Sequence, residues 1–164
     1  MTTITPATAK QIDEWWVRAL ADPSVWPWLT MSRYTTKPKA TDDDWDGLVL
    51  MDETGEGLMR FSVARADACL RATVAIWVLA GPRRPLIALG MLAAIPALSR
   101  RYGVRWLDAQ IHDSNEKSWR LTQRVFGPPW GIEPDGAWNG LAGRYEPARF
   151  YRCPVEAVPD RLAA

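Results

Sequence analysis

The apolar residues change their spacing twice along the chain, and each spacing predicts a different kind of element. In the first zone Ile12, Trp15, Trp16, Ala19 and Leu20 recur at helical intervals. This predicts a helix over Ala9–Ala21, ended by Asp22-Pro23. Thr3–Pro6 reads as a short first strand and Ser24–Thr30 as a second short helix or turn. Met31 to Asp46 is polar, ends near the run Asp42-Asp43-Asp44, and reads as an exposed loop.

The second zone is a β meander. Gly47–Asp52 is a strand, Glu53–Gly57 a glycine-bearing turn, and Leu58–Arg65 the returning strand, with Met59, Phe61 and Val63 on one face. After a turn at Ala66–Leu70, Ala72–Leu79 is nearly all apolar, which predicts a strand buried on both faces. The third zone begins with the breaker loop Ala80–Pro85. Leu86–Tyr102 reads as a helix kinked at Pro96 and stopped by Gly103. Val104–His112 is a strand with Leu107, Ala109 and Ile111 on one face and Trp106, Asp108, Gln110 and His112 on the other. Asp113 or Ser114 caps a last helix, Asn115–Val125, and the Gly- and Pro-rich remainder closes with one or two strands, clearest at Ala148–Val155. Antiparallel strands followed by βαβα predict a mixed α/β sheet carrying helices, in one domain over residues 1–164.

Composition narrows the function classes. The net charge of +1 offers no overall attraction for nucleic acid or anionic lipid. The charge is uneven: residues 1–66 carry −3 and residues 67–164 carry +4. A basic second half suits either a phosphorylated ligand or a solvated mixed surface. Cys69 and Cys153 lie in no CxxC pattern and His112 is the single histidine, so no metal site is expected. The longest apolar run, Leu86–Leu98, is too short for a bilayer and contains Pro96. No apolar segment of signal type follows Thr2–Pro6, so the expectation is a cytoplasmic protein, monomer or homodimer, with no membrane partner.

The loop between Leu79 and Leu86 carries the most chemistry. An apolar strand enters it, Arg83 and Arg84 stand in it, and an apolar helix leaves it. Free N–H groups at a helix start attract phosphate, and arginines add charged donors. Two arginines before a helix are equally compatible with a solvated linker.

The wider pattern resembles the coenzyme-binding core of the GNAT acyltransferases. That family has a strand, an (Arg/Gln)-x-x-Gly-x-(Gly/Ala) loop, a helix, a further strand and a helix opening near an Asn. Here Arg83-Arg84-Pro85-Leu86-Ile87-Ala88 occupies the loop, Asn115, Ser118 and Leu121 fall in the last helix, and Phe126-Gly127 stands near the expected Gly-Phe. Two positions depart from the pattern: Leu86 replaces the first loop glycine, and Thr122 stands where many members carry a tyrosine.

The resemblance implies a mostly antiparallel sheet flanked by helices and splayed at the coenzyme site. It implies transfer of an acetyl or other acyl group from acyl-CoA to an amine. Backbone N–H groups near Val78 and Leu79 would polarise the thioester. Arg83, Arg84, Leu86 and Ala88 would border the pyrophosphate, with Asn115 and Ser118 on the pantetheine or pyrophosphate arm. Asp108 and His112, on one strand face beside the expected cleft, are the candidate bases, with local structural pairing as their alternative role. Trp15, Trp16, Trp26 and Trp28 either pack the core or wall the acceptor site. Acceptors range from a small molecule to a modified nucleobase, the last helped by a patch of Arg120, Arg124, Arg144, Arg149 and Arg152. A competing reading is a GNAT-shaped binding protein that has lost catalysis.

Overall fold

The computed structural model describes residues 3–29, 31, 33, 37–40, 48–66 and 69–163. Most of the loop expected over Met31–Asp46 lies outside the described residues. Among those described, β1 (Ile4–Pro6), β2 (Leu48–Asp52), β3 (Gly57–Ala66), β4 (Cys69–Val78), β5 (Val104–His112), β6 (Gly131–Asn139) and β7 (Arg144–Pro154) form one sheet. Its order is β1-β2-β3-β4-β5-β7-β6, and β4–β5 is the parallel pair in an otherwise antiparallel sheet. The helices are α1 (Ala9–Ala21), α2 (Arg84–Tyr102), α3 (Glu116–Phe126) and the short α4 (Val158–Ala163). Single 3-10 turns lie at Trp26–Trp28 and Val155–Ala157.

Each sheet face has its own core. On one face α2, α3 and α4 cover Phe61, Ala72, Val74, Leu107, Tyr151 and Cys153. On the other, α1 sets Ile12, Trp15 and Ala19 against Val49, Met51, Leu58 and Leu79. A capping box starts α1: Thr8 accepts from the Gln11 N–H, and Gln11 accepts from the Thr8 N–H. The buried Trp15 ring keeps its indole N–H satisfied on the Glu56 carbonyl at 3.0 Å. The helix α2 crosses directly over Gly57, where a Cβ would lie 2.6 Å from both Ile87 Cγ2 and Met91 Cε. A side chain there would push α2, and the loop before it, off the sheet. Gly103 ends α2 at φ 67°, a left-handed cap that returns its N–H to the Arg100 carbonyl.

Two expectations change and a third is sharpened. The strand predicted as Ala72–Leu79 is buried on the α2 face, but Thr73 is exposed on the other, because α1 and the Trp26–Trp28 turn reach only its far end. Its apolar residues there, Ala75 and Trp77, are half-buried. The helix α2 starts at Arg84 and runs without a break through the buried Pro96. The closing zone contains two long strands, β6 and β7, followed by α4.

Candidate active site

The pairing of β4 with β5 begins at Leu70↔Val104 and ends at Thr73↔Asp108. Yet β4 continues to Val78 and β5 to His112. Beyond Thr73, β4 stays bonded to β3 as far as Gly57↔Val78, and β5 stays bonded to β7 as far as His112↔Ala148. The sheet therefore opens between its two central strands at their C-terminal ends. In an antiparallel pair the backbone groups of successive residues turn alternately to the partner and away from it. The Leu79 N–H bonds to the Glu56 carbonyl at 2.9 Å. Trp77 shares that side, so the backbone groups of Ile76 and Val78 face the opening.

The loop above the opening is held from several sides. Asp22, just past α1, accepts the Ala80 N–H at 2.7 Å and both the N–H and hydroxyl of Ser24. Burial alone would raise the Asp22 carboxyl. The Ser24 and Ala80 hydrogen bonds, with Arg84 nearby, instead hold it below its ordinary value of 3.8. Arg84 donates to the Ser24 hydroxyl at 2.8 Å and to its carbonyl at 3.2 Å. Arg83 is exposed and pairs loosely with Glu56 at 3.7 Å. The N–H groups of Gly81, Arg83 and Leu86 have no protein acceptor among the described residues. Pro85 has no N–H, and the Leu86 side chain is 66% exposed.

On the α1 side of the opening a polar and aromatic group gathers. The Trp77 indole on β4 donates to the Trp28 carbonyl at 3.0 Å. The Trp28 ring meets the His112 ring on β5 at 5.2 Å. His112 is buried, and its Nδ1 lies 3.4 Å from Glu146 Oε1 on β7. Glu146 also accepts from the Ser114 hydroxyl at 2.5 Å and from Asn139 Nδ2 at 2.7 Å. Burial by itself would raise the Glu146 carboxyl. The bonds from Asn139 and Ser114, with His112 beside them, more than reverse this and hold it below 4.5.

The structure sorts the residues expected from the sequence. Val78 turns its N–H into the opening, whereas Leu79 spends its N–H on Glu56, on the far side of the strand. Asp108 sits at the last paired register, short of the opening, and its carboxylate takes Arg152 Nε at 2.7 Å. The arginine it meets is Arg152, not Arg105 or Arg120. Arg83 and Leu86 line the loop; Arg84 instead ties it to Ser24. Ala88 packs toward the core. Asn115 caps α3 by accepting the Ser118 N–H at 3.4 Å, so these two residues serve each other. The expected arginine patch is divided. Arg149 binds Asp113 and lies over Trp119, Arg120 binds Glu116, and Arg152 binds Asp108 on the opposite sheet face. Glu146, Asn139 and Ser114 were not legible as a group, because only the β5–β7–β6 pairing brings them to His112.

No protein-family model matches the chain, and no curated protein matches it. Solved structures do. RimJ from Mycobacterium smegmatis, in complex with CoA-disulfide, is 16% identical, with a TM-score of 0.74 over 99% of this chain and 88% of that one. A GNAT superfamily phosphinothricin acetyltransferase from Sinorhizobium meliloti, in complex with AcCoA, is 18% identical, with a TM-score of 0.68 over 93% and 88%. A GCN5-related N-acetyltransferase from Kribbella flavida is 16% identical, with a TM-score of 0.70 over 93% and 97%. No described helix is long and apolar enough to cross a membrane. Over nearly its whole length the chain has the fold of the GNAT N-acetyltransferases.

Proposed function

We propose that the protein transfers an acyl group, acetyl in the simplest case, from acyl-CoA to an amine acceptor. The observation that carries this reading is the opening between β4 and β5 with the Val78 N–H turned into it. A backbone donor fixed by a sheet needs no reorganisation to polarise a thioester carbonyl. The free N–H groups of Gly81, Arg83 and Leu86, the start of α2 and the Arg83 guanidinium together fit a pyrophosphate. The similar structures in complex with CoA-disulfide and AcCoA support the same assignment. In this reading His112 takes the proton of the acceptor amine, since Asp108 is engaged by Arg152. Trp28 and Trp77 wall the acceptor side. Asn115 and Ser118 keep a place near the coenzyme arm only through the backbone at the start of α3.

Isothermal titration with acetyl-CoA tests the reading first, followed by thiol release against a panel of amines. Binding that weakens in Arg83→Ala supports it; failure to bind any CoA thioester overturns it. A second reading is a binding protein of the same fold without catalysis. Pro85 and the exposed Leu86 favour it, because they leave fewer N–H groups and more side chain where a pyrophosphate would lie. Coenzyme binding with no thiol release across the panel would select it.

A further inference from the structure

We propose that Gly140, in the turn between β6 and β7, is a positioning residue for the acceptor wall. Its bare backbone seats the Trp26 ring, and that seat sets where Trp28 stands beside the opening. The functional part of this rests on the acyl-transfer reading above. The segment that follows α1 spans the parted sheet. At its start Asp22 accepts the Ala80 N–H and Ser24 accepts from Arg84, so it is tied to the loop after β4. Next, the Trp28 carbonyl takes the Trp77 indole of β4. Farther on, the Met31 carbonyl accepts the Trp138 N–H of β6 at 3.1 Å. Between these tethers the Trp26 ring lies against Gly140. One segment therefore joins the β1–β4 half of the sheet to the β5–β7 half on the acceptor side.

At Gly140 this bridge has no room to spare. A Cβ there would overlap Trp26 Cζ3 and stand 3.2 Å from both Cε3 and Cη2. The positive-φ glycines among the described residues are Gly55, Gly103, Gly127 and Gly143, so Gly140 does not need its glycine for backbone freedom. The Trp26 ring, not backbone strain, is what excludes a side chain.

The hydrogen bonds on each side decide which partner would yield. The hairpin is laced around Gly140: Asn139 Oδ1 accepts the N–H groups of Leu141 and Ala142, both at 2.9 Å, and its carbonyl accepts the Gly143 N–H at 2.9 Å. Asn139 Nδ2 also donates to Glu146 at 2.7 Å. Trp26 is half-buried and opens a single 3-10 turn. The ring would give way before the hairpin. Between Trp26 and Trp28 stands the buried Pro27, whose φ is fixed by its own ring. A displaced Trp26 therefore carries Trp28 with it, and Trp28 walls the acceptor side.

The test is a size swap across the contact, read by thiol release with the amine panel and by calorimetry with acetyl-CoA. Gly140→Ala should lower kcat/KM for the acceptor about tenfold, chiefly through KM, while the Kd for acetyl-CoA stays within about twofold. Trp26→Phe shortens the ring system and frees the space that a Cβ needs. Alone it should also raise the acceptor KM, and it carries the test if Gly140→Ala does not fold. Combined with Gly140→Ala it should restore most of the lost efficiency, with every variant assayed well below its melting temperature. A role in stability alone would lower the melting temperature of Gly140→Ala and leave its acceptor KM at the wild-type value. Effects that simply add in the double variant, or an acceptor KM unchanged in both single variants, overturn the proposal while acyl transfer stands. A wild type that binds no CoA thioester, or that releases no thiol with any amine, overturns the acyl-transfer reading and the role of Gly140 with it.

Discussion

The Trp28 ring lies edge-on to the His112 imidazole, with centroids 5.2 Å apart and planes at 67°. The carbonyl of the same tryptophan accepts the Trp77 indole from β4. One residue of a 3-10 turn therefore touches both strands that part at the opening. The ring covers His112, while the carbonyl bond belongs to the backbone and survives truncation. Trp28→Ala should destabilise the fold by about 2 kcal/mol, less than for a fully buried tryptophan, measured by urea unfolding. In turnover it should raise KM for the acceptor while leaving KM for acetyl-CoA within about twofold. A rise confined to acetyl-CoA would place Trp28 on the wrong side of the site.

Two neighbouring arginines should behave in opposite ways. Arg83 is exposed and makes one loose pair with Glu56, an interaction worth little to stability. Arg84 is half-buried and fastens the loop to Ser24 through two hydrogen bonds. Arg83→Ala should leave the melting temperature nearly unchanged and weaken acetyl-CoA about tenfold by calorimetry. Arg84→Ala should lower the melting temperature by several degrees, from a loss of about 1–2 kcal/mol. Equal effects of both variants on coenzyme affinity would contradict the division of roles.

Local signals carried much of the fold. The turn at Glu53–Gly57, the stop at Gly103 and the helical spacing of Ile12, Trp15 and Ala19 each act within a few residues, and each is found as expected. The site was less legible because its geometry comes from pairings distant in sequence. Asp108 and His112 share one strand face, and nothing local separates them. The register does: Asp108 meets Arg152 directly across β7, whereas His112 meets Ala148, leaving room for Glu146 two residues along. Likewise Val78 and Leu79 are alike in sequence, and only the bond from Leu79 to Glu56 shows which N–H enters the opening. The charge of Arg84 could be read from the sequence, but its tether to Ser24, sixty residues away, could not.

Gly57 tests how firmly α2 is seated. Its absent side chain lets Ile87 and Met91 rest on β3, and a Cβ would stand 2.6 Å from both. Met91 can swing its terminal methyl aside; the branched Ile87, 2% exposed, has less freedom. Gly57→Ala should cost about 1–3 kcal/mol in urea unfolding. It should also weaken acetyl-CoA, because the displaced helix carries the Arg83 and Leu86 N–H groups. Full stability with full affinity would show that α2 is not registered by this contact.

Acid should release the two carboxyls that lace the site together. Glu146 and Asp22 both have folded-state pKa values depressed below their ordinary 4.5 and 3.8, since hydrogen bonds from Asn139 and Ser114, and from Ser24 and Ala80, outweigh burial. A depressed folded value means that the unfolded chain takes up a proton first as pH falls. The stabilisation is complete above the ordinary values and is lost as pH drops through the folded ones. Melting temperature should therefore hold from neutrality to about pH 5 and fall below it. Glu146→Gln and Asp22→Asn remove one titrating group each. Each variant should melt lower than the wild type at pH 7, and the gap should narrow steadily toward pH 3. A gap of constant size across this range would mean that the bonds to Asn139 and Ser114, or to Ser24 and Ala80, do not depend on the charge of the carboxyl that accepts them.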